Sequence, residues 1–190
     1  MFSHIERESK YIVVAPSRNN KTKAQQSDTV NWINSFRQFR EAVYHHDKNR
    51  AKQFIDFPVM NYGNEIWELI YTGNDKKLNQ IPREIKPFTE KDFDQYFDKL
   101  FSMEFIKGIL KIKTEELFKK GQMQTDDISE DKDRICYINA TFDQQNKTLD
   151  LNLSSKIYSA EDDDGEYNID YQFKVLDNGQ IRFFQVRLAG

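Results

Sequence analysis

Thr148-Leu149-Asp150-Leu151-Asn152-Leu153-Ser154-Ser155-Lys156-Ile157-Tyr158 and, after an acidic gap, Tyr167-Asn168-Ile169-Asp170-Tyr171-Gln172-Phe173-Lys174-Val175 decide the fold. Successive side chains of an extended chain point to opposite faces. Leu149, Leu151, Leu153 and Ile157 are therefore predicted on one face, with Asp150, Asn152, Ser154 and Lys156 on the other. The second stretch sets Tyr167, Ile169, Tyr171, Phe173 and Val175 against Asn168, Asp170, Gln172 and Lys174. One wet face and one packed face is the pattern of an antiparallel sheet covered on one side. Residues 134–142 add a strand with Cys136, Ile138, Ala140 and Phe142 inward, and residues 180–188 complete a meander of four. Asp177-Asn178-Gly179 supplies the last hairpin, since Asn-Gly suits the positive φ angles of a type I′ turn. Residues 143–147 and 160–166 make the other two connections.

Towards the N-terminus the apolar period changes from 2 to 3.6. Ser27 or Asp28 is expected to cap a helix running to about His46, with Ile33, Phe36, Phe39, Val43 and Tyr44 on one stripe. Asp47 caps a shorter helix that turns Ala51, Phe54 and Ile55 inward. Phe57-Pro58-Val59-Met60 reads as an edge strand or an extended entry into one, because Pro58 has no N–H to donate. Glu65 to Tyr71, rich in aromatic and β-branched residues, reads as a strand. Thr89 with Asp92 forms a capping box ahead of Phe93, Tyr96, Phe97, Leu100 and Phe101, one aromatic helix face. Residues 103–113 fit helix or strand, and 114–120 form a helical turn closed by Gly121. Residues 1–27 read as an N-terminal arm with a short strand at Tyr11 to Val14, and 28–190 as a single α+β domain.

Composition narrows the classes. With 15 Phe, 9 Tyr and 2 Trp among 190 residues, a core is affordable although mean hydropathy is −0.82. One cysteine, Cys136, rules out an internal disulfide or a cysteine-cluster zinc site. Its strand position, with no histidine nearby in sequence, marks a small buried hydrophobe rather than a nucleophile. No apolar run is long enough to span a membrane. No basic segment precedes an apolar one at the N-terminus, so a cytoplasmic protein is expected; a chain whose leader had been removed would read the same. Residues 1–125 carry 21 Lys and Arg against 17 Asp and Glu, and residues 126–190 carry 7 against 14. Basic residues interspersed with acids do not make a nucleic-acid footprint.

The element order, opened by Phe36-Arg37-Gln38-Phe39 and Phe54-Ile55-Asp56-Phe57-Pro58-Val59, resembles the nuclear transport factor 2-like superfamily, its small bacterial members in particular, over about residues 28–188. The resemblance implies a strongly curved antiparallel sheet wrapped around helices as a cone with an interior pocket. That superfamily holds dehydratases, isomerases, epoxide hydrolases, transport adaptors and plain binding modules, so the fold does not choose a function.

No catalytic constellation is visible. The histidines are His4, His45 and His46, and none falls in the meander, so an Asp–His dyad is missing. His45 and His46 point about 100° apart on a helix and do not share one metal. Arg37, Glu41 and His45 read as a solvated ladder. Asp162-Asp163-Asp164-Gly165-Glu166 resembles a calcium loop only in part: with Gly165 at position 6, Ala160 and Tyr171 fall where acids belong. No metal and no cofactor are expected. Trp67, Tyr96, Tyr171, Phe183 and Arg187 are the candidates for lining a pocket that takes a small apolar ligand. Arg187 is included because alternation sets it on the face of Ile181 and Phe183. Asp126 and Asp127, in a stretch that reads as a mobile loop, and Asp162, Asp163, Asp164 and Glu166 are the candidates for meeting a protein partner of basic character. A homodimer is compatible with this reading, while nucleic acid and membrane are not expected partners. The expectation is thus a non-catalytic binding domain. Its alternatives are a bacterial immunity-type inhibitor of a toxin and a small pocket enzyme of lyase or isomerase type.

Overall fold

The structure, a computed structural model, describes residues 21–157 and 165–189, with side chains from Trp32 on. The strand expected at Tyr11 to Val14 lies outside these residues. Five antiparallel strands, β1 (Gln122–Gln124), β2 (Arg134–Asp143), β3 (Thr148–Ile157), β4 (Glu166–Val175) and β5 (Ile181–Ala189), follow one another in an open sheet, in chain order. The four long strands lie where the alternation of the sequence places them, but Ile157 and Tyr167, expected on the packed face, are exposed, and β5 changes face after Phe183. The three-residue β1 was not foreseen; it pairs with Asn139 to Thr141. Inward positions Cys136, Ile138, Ala140, Leu149, Leu151, Leu153, Ile169, Tyr171 and Phe173 are all buried.

Among the described residues seven α-helices accompany the sheet, and α1, α3, α6 and α7 contact its strands. The first, α1 (Lys21–Tyr44), begins a turn or more before Ser27 and Asp28, inside the segment read as an arm. Trp32, Phe36, Phe39 and Val43 on it are buried; Tyr44, expected on the same stripe, is exposed. Asp47 caps α2 (Lys48–Ala51), accepting the Arg50 N–H at 3.0 Å. Thr89 and Asp92 form the expected box at the start of α5 (Glu90–Leu100), where the Asp92 carboxylate accepts the Thr89 N–H at 2.9 Å. Ser102 caps α6 (Met103–Lys111), which settles that ambiguous stretch as helix. Gly121, at φ 74°, ends α7 (Thr114–Lys120). Arg40 of α1 donates to the carbonyls of Ile109 at 3.1 Å and Ile112 at 2.8 Å, where α6 stops.

Three expectations need correction. Glu65–Tyr71 is a helix, α3, followed by the short α4 (Asp75–Leu78). Ile66, Trp67 and Ile70 bury one helical face, and this packing overrides the strand preference of their side chains. Of the two readings of Phe57–Met60, an edge strand and an extended entry, the edge strand does not form: the segment makes a single bridge, Val59 with Phe88. The last hairpin forms at the expected place but not as type I′, because Gly179 (φ 78°) has a positive φ and Asn178 does not.

The outer edge of β5 is occupied by residues from far upstream. Ile181 N–H donates to the Ser35 hydroxyl at 3.0 Å, Asp56 N–H to the Phe183 carbonyl at 2.9 Å, and Val186 N–H to the Asn61 side chain at 2.6 Å. Pairing of β4 with β5 slips at a bulge, so that Phe173 faces Phe183 but Gln172 faces Gln185.

Candidate functional site

The five residues expected to line one pocket fall in three places. Tyr171 and Phe183 lie in the middle of the core, both fully buried. The Tyr171 ring packs on Phe105 with centroids 4.0 Å apart, and its hydroxyl donates to the Leu100 carbonyl at 2.9 Å. Burial pushes this phenol well above its usual range. Phe101 lies between them and the helices, 6.1 Å from Tyr171 and 6.3 Å from Phe183. These rings fill the space around one another.

Arg187 lies on the opposite face. The bulge opposite Gln172 adds Phe184 to β5 and inverts its alternation, so Ile181, Phe183 and Val186 are buried while Arg187 is exposed. Its row across the sheet is Asn139, Asn152, Asp170, Arg187, and the next is Thr141, Asp150, Gln172, Gln185. Asn152 donates to Asp170 at 2.7 Å, and the Ser154 hydroxyl, with one proton to give, lies 2.5 Å from Asn152 Oδ1 and 2.7 Å from Asn168 Oδ1. Partial burial, then the neighbouring Asp170 charge, raise the proton affinity of Asp150. The folded state holds this proton more tightly than the unfolded chain, so stability falls as pH rises from the ordinary aspartate range through the raised native value. Asp150→Asn is therefore expected to stabilise the protein above that window and not below it. Because the carboxylate is only partly buried, the gain is at most about 1 kcal/mol. Urea titrations of both proteins across acid and neutral pH check this, and a gain independent of pH refutes it.

Trp67 and Tyr96 do come together, with a third ring. Trp67 and Tyr71 are one turn apart on α3, 5.5 Å between centroids, and Tyr96 of α5 stands edge-on to them at 6.1 and 6.0 Å. The Trp67 indole N–H donates to the Lys86 carbonyl at 2.9 Å. Lys86 N–H in turn donates to Asn64 at 2.7 Å, a buried side chain that also donates to the carbonyls of Pro82 and Glu84. Two ammonium groups lie over the rings: Lys86 Nζ is 3.7 Å from the Trp67 centroid, and Lys77 Nζ is 5.0 Å from Tyr71 and 5.5 Å from Tyr96. Burial and a hydrogen bond with Tyr96 push the Tyr71 phenol up. Tyr71, Lys77 and Lys86 were not among the expected site residues. Reading Glu65–Tyr71 as extended placed Trp67 and Tyr71 too far apart to share a contact.

The acidic candidates divide between structural and exposed roles. Asp162, Asp163 and Asp164 lie outside the described residues. Register places Arg134 opposite Ile157 and Lys156 opposite Glu166, so the segment entering β2 and the two stems of the β3–β4 connection share one end of the sheet. The stretch Asp126 to Asp133, expected as a mobile loop, is tied to β2. Ile128 is buried and donates its N–H to the Cys136 carbonyl at 2.7 Å, and Thr125 N–H donates to the Ile138 carbonyl at 2.9 Å. One Asp127 oxygen accepts the N–H groups of Cys136 and Ser129, both at 2.9 Å, and these bonds hold its carboxyl below the usual range. Asp126 and Glu166 are exposed, and Glu130 pairs with Lys107.

The remaining groups form no reactive constellation with these. Cys136 is buried, and burial raises its thiol, which disfavours the thiolate. The expected ladder on α1 is replaced by pairs between helices, Arg37 with Glu115 and Glu41 with Arg50 at 3.7 Å. His46 Nδ1 lies 2.9 Å from Asp98. Among the described residues no group of three or more His, Cys, Asp or Glu is placed to hold a metal, and no helix is long and apolar enough to cross a membrane. No family model matches the chain, and neither a curated protein nor a solved structure was found to be similar to it.

Proposed function

We propose that this protein is a non-catalytic binding domain that engages a basic protein surface at the acidic end of its sheet. The observation that carries the reading is the register of β2, β3 and β4, which brings the stems of two acidic segments to one end. The charge imbalance of residues 126–190, 7 cations against 14 anions, has the sign that steers a cationic partner. Within that end, Asp126 and Glu166 are the exposed carboxylates offered to a partner, while Asp127 holds the segment's shape. An immunity-type inhibitor is one form of the same chemistry, in which the basic partner is a toxin. The ring-filled surroundings of Tyr171 and Phe183 favour this reading over an apolar ligand held within a cone.

Kinship with the nuclear transport factor 2-like superfamily, and the cone-like curl of the sheet that goes with it, belong to the same proposal. Their support is the order of helices followed by a long antiparallel meander. The helical Glu65–Tyr71 departs from the strand that the resemblance included.

The test is affinity capture from an extract of the producing cells at low ionic strength, using wild type and the Asp126→Lys/Glu166→Lys variant. A basic protein retained by wild type, eluted by salt and bound roughly tenfold more weakly by the variant is the expected result. Equal retention by both proteins overturns the assignment of the surface, and no salt-sensitive partner overturns the function.

A further inference from the structure

The triangle of Trp67, Tyr71 and Tyr96 has the geometry with which proteins hold cationic ligands: three rings within 5.5 to 6.1 Å of one another, Tyr96 edge-on to the other two. Its rings are fixed by their surroundings. Trp67 is held by its bond to the Lys86 carbonyl and by edge contact with Phe88 at 5.4 Å, and the Tyr71 and Tyr96 rings stand edge to face at 6.0 Å. Tyr71 and Tyr96 are half-buried while Trp67 is buried with Lys86 over its face, so the triangle borders solvent on its tyrosine side only. Such a preformed set loses little freedom when a ligand arrives.

Its internal cations are poorly suited to it. A lysine ammonium carries three N–H donors and is strongly hydrated, whereas ring faces attract its charge but accept those donors weakly. Neither Lys77 Nζ nor Lys86 Nζ has a hydrogen bond or ion pair among the described residues; their contacts are with rings. The two like charges also share Tyr71, at 5.0 and 5.8 Å. An alkylated ammonium has fewer or no N–H groups to satisfy and more apolar surface to lay on the rings, which is why aromatic cages select it.

We propose that Trp67, Tyr71 and Tyr96 form a binding site for an alkylated ammonium group, with Lys77 and Lys86 as built-in competitors. Lys77 is exposed and leaves the tyrosine faces by swinging into solvent. Lys86 covers the Trp67 face and lowers apparent affinity by the fraction of time it stays there. This site goes beyond the acidic end of the sheet and does not depend on it.

The experiment follows the Trp67 indole N–H by NMR while tetramethylammonium chloride is added at constant ionic strength, with tert-butanol as the neutral probe of similar shape. Trp67→Phe assigns the resonance. The Lys77→Ala/Lys86→Ala variant, which clears both side chains from the ring faces, is expected to give a saturable shift with tetramethylammonium and none with tert-butanol. Wild type is expected to bind roughly tenfold more weakly. Should the double variant fold poorly, Lys77→Ala alone is compared with wild type and is expected to bind more tightly. No saturable shift in the variant, or the same response to tert-butanol, overturns the site. Equal affinity in variant and wild type overturns the role of the lysines.

Discussion

Replacing Phe101 with alanine is expected to destabilise the protein by about 3–5 kcal/mol, within the range for deleting a buried phenyl ring. Phe101 lies just past the end of α5, where helices and sheet meet. Its ring is within 6.3 Å, centroid to centroid, of Phe39, Phe93, Phe97, Phe105, Tyr171 and Phe183. These neighbours come from α1, α5, α6, β4 and β5, so no single element can close the void by shifting. Because a loss of this size is comparable with the whole stability of many domains, denaturant unfolding should be followed by both fluorescence and circular dichroism. A midpoint unchanged from wild type refutes the placement of this ring at the centre of the core. Phe101→Leu, which retains part of the volume, should lose clearly less.

The second large effect is steric. Gly108 sits on the buried face of α6, and a Cβ there would lie 2.5 Å from Ile138 Cδ1 and 2.7 Å from its Cγ1, with Ile128 Cδ1 at 3.2 Å. Ile138 is fully buried on β2, so its side chain has little room to turn away. Gly108→Ala is expected to cost about 1–3 kcal/mol through overpacking, despite the better helix propensity of alanine. The diagnostic measurement is a double-mutant cycle with Ile138→Val, which removes Cδ1. Alone, that change should cost about 0.5–1.5 kcal/mol. In the Gly108→Ala background it should cost less or restore stability, giving a coupling of about 0.5 kcal/mol or more. Strict additivity would mean that α6 and β2 are not in the close contact described.

How much of this was legible in the sequence depended on which force decided each element. The long strands were readable because one face is packed and the other wet, and that contrast is written as a period of two. Thr89 with Asp92 and Asp47 were readable because capping is local chemistry. Glu65–Tyr71 was misread because its composition favours a strand in isolation, while its partners Phe88 and Tyr96 are distant in sequence. Arg187 was placed on the wrong face by a single bulge residue, which leaves no mark in the alternation until the partner strand is known. The acidic stretch at Asp126 to Asp133 looked like a solvated loop because its charges outnumber its one buried anchor, Ile128. The aromatic triangle was half visible: Trp67 and Tyr96 stood out as large rings, but Lys77 and Lys86 approach them only through the fold.

The clasp on the outer edge of β5 bears on how the chain is made. Ser35 and Asn61 meet their partners across 146 and 125 residues of sequence. The amino-terminal third therefore cannot be completed on the ribosome until β5 has been synthesised. Long-range closure of this kind slows assembly. It also leaves the phenyl-rich helices uncovered in the nascent polypeptide, where chaperone holding during translation would shield them from aggregation.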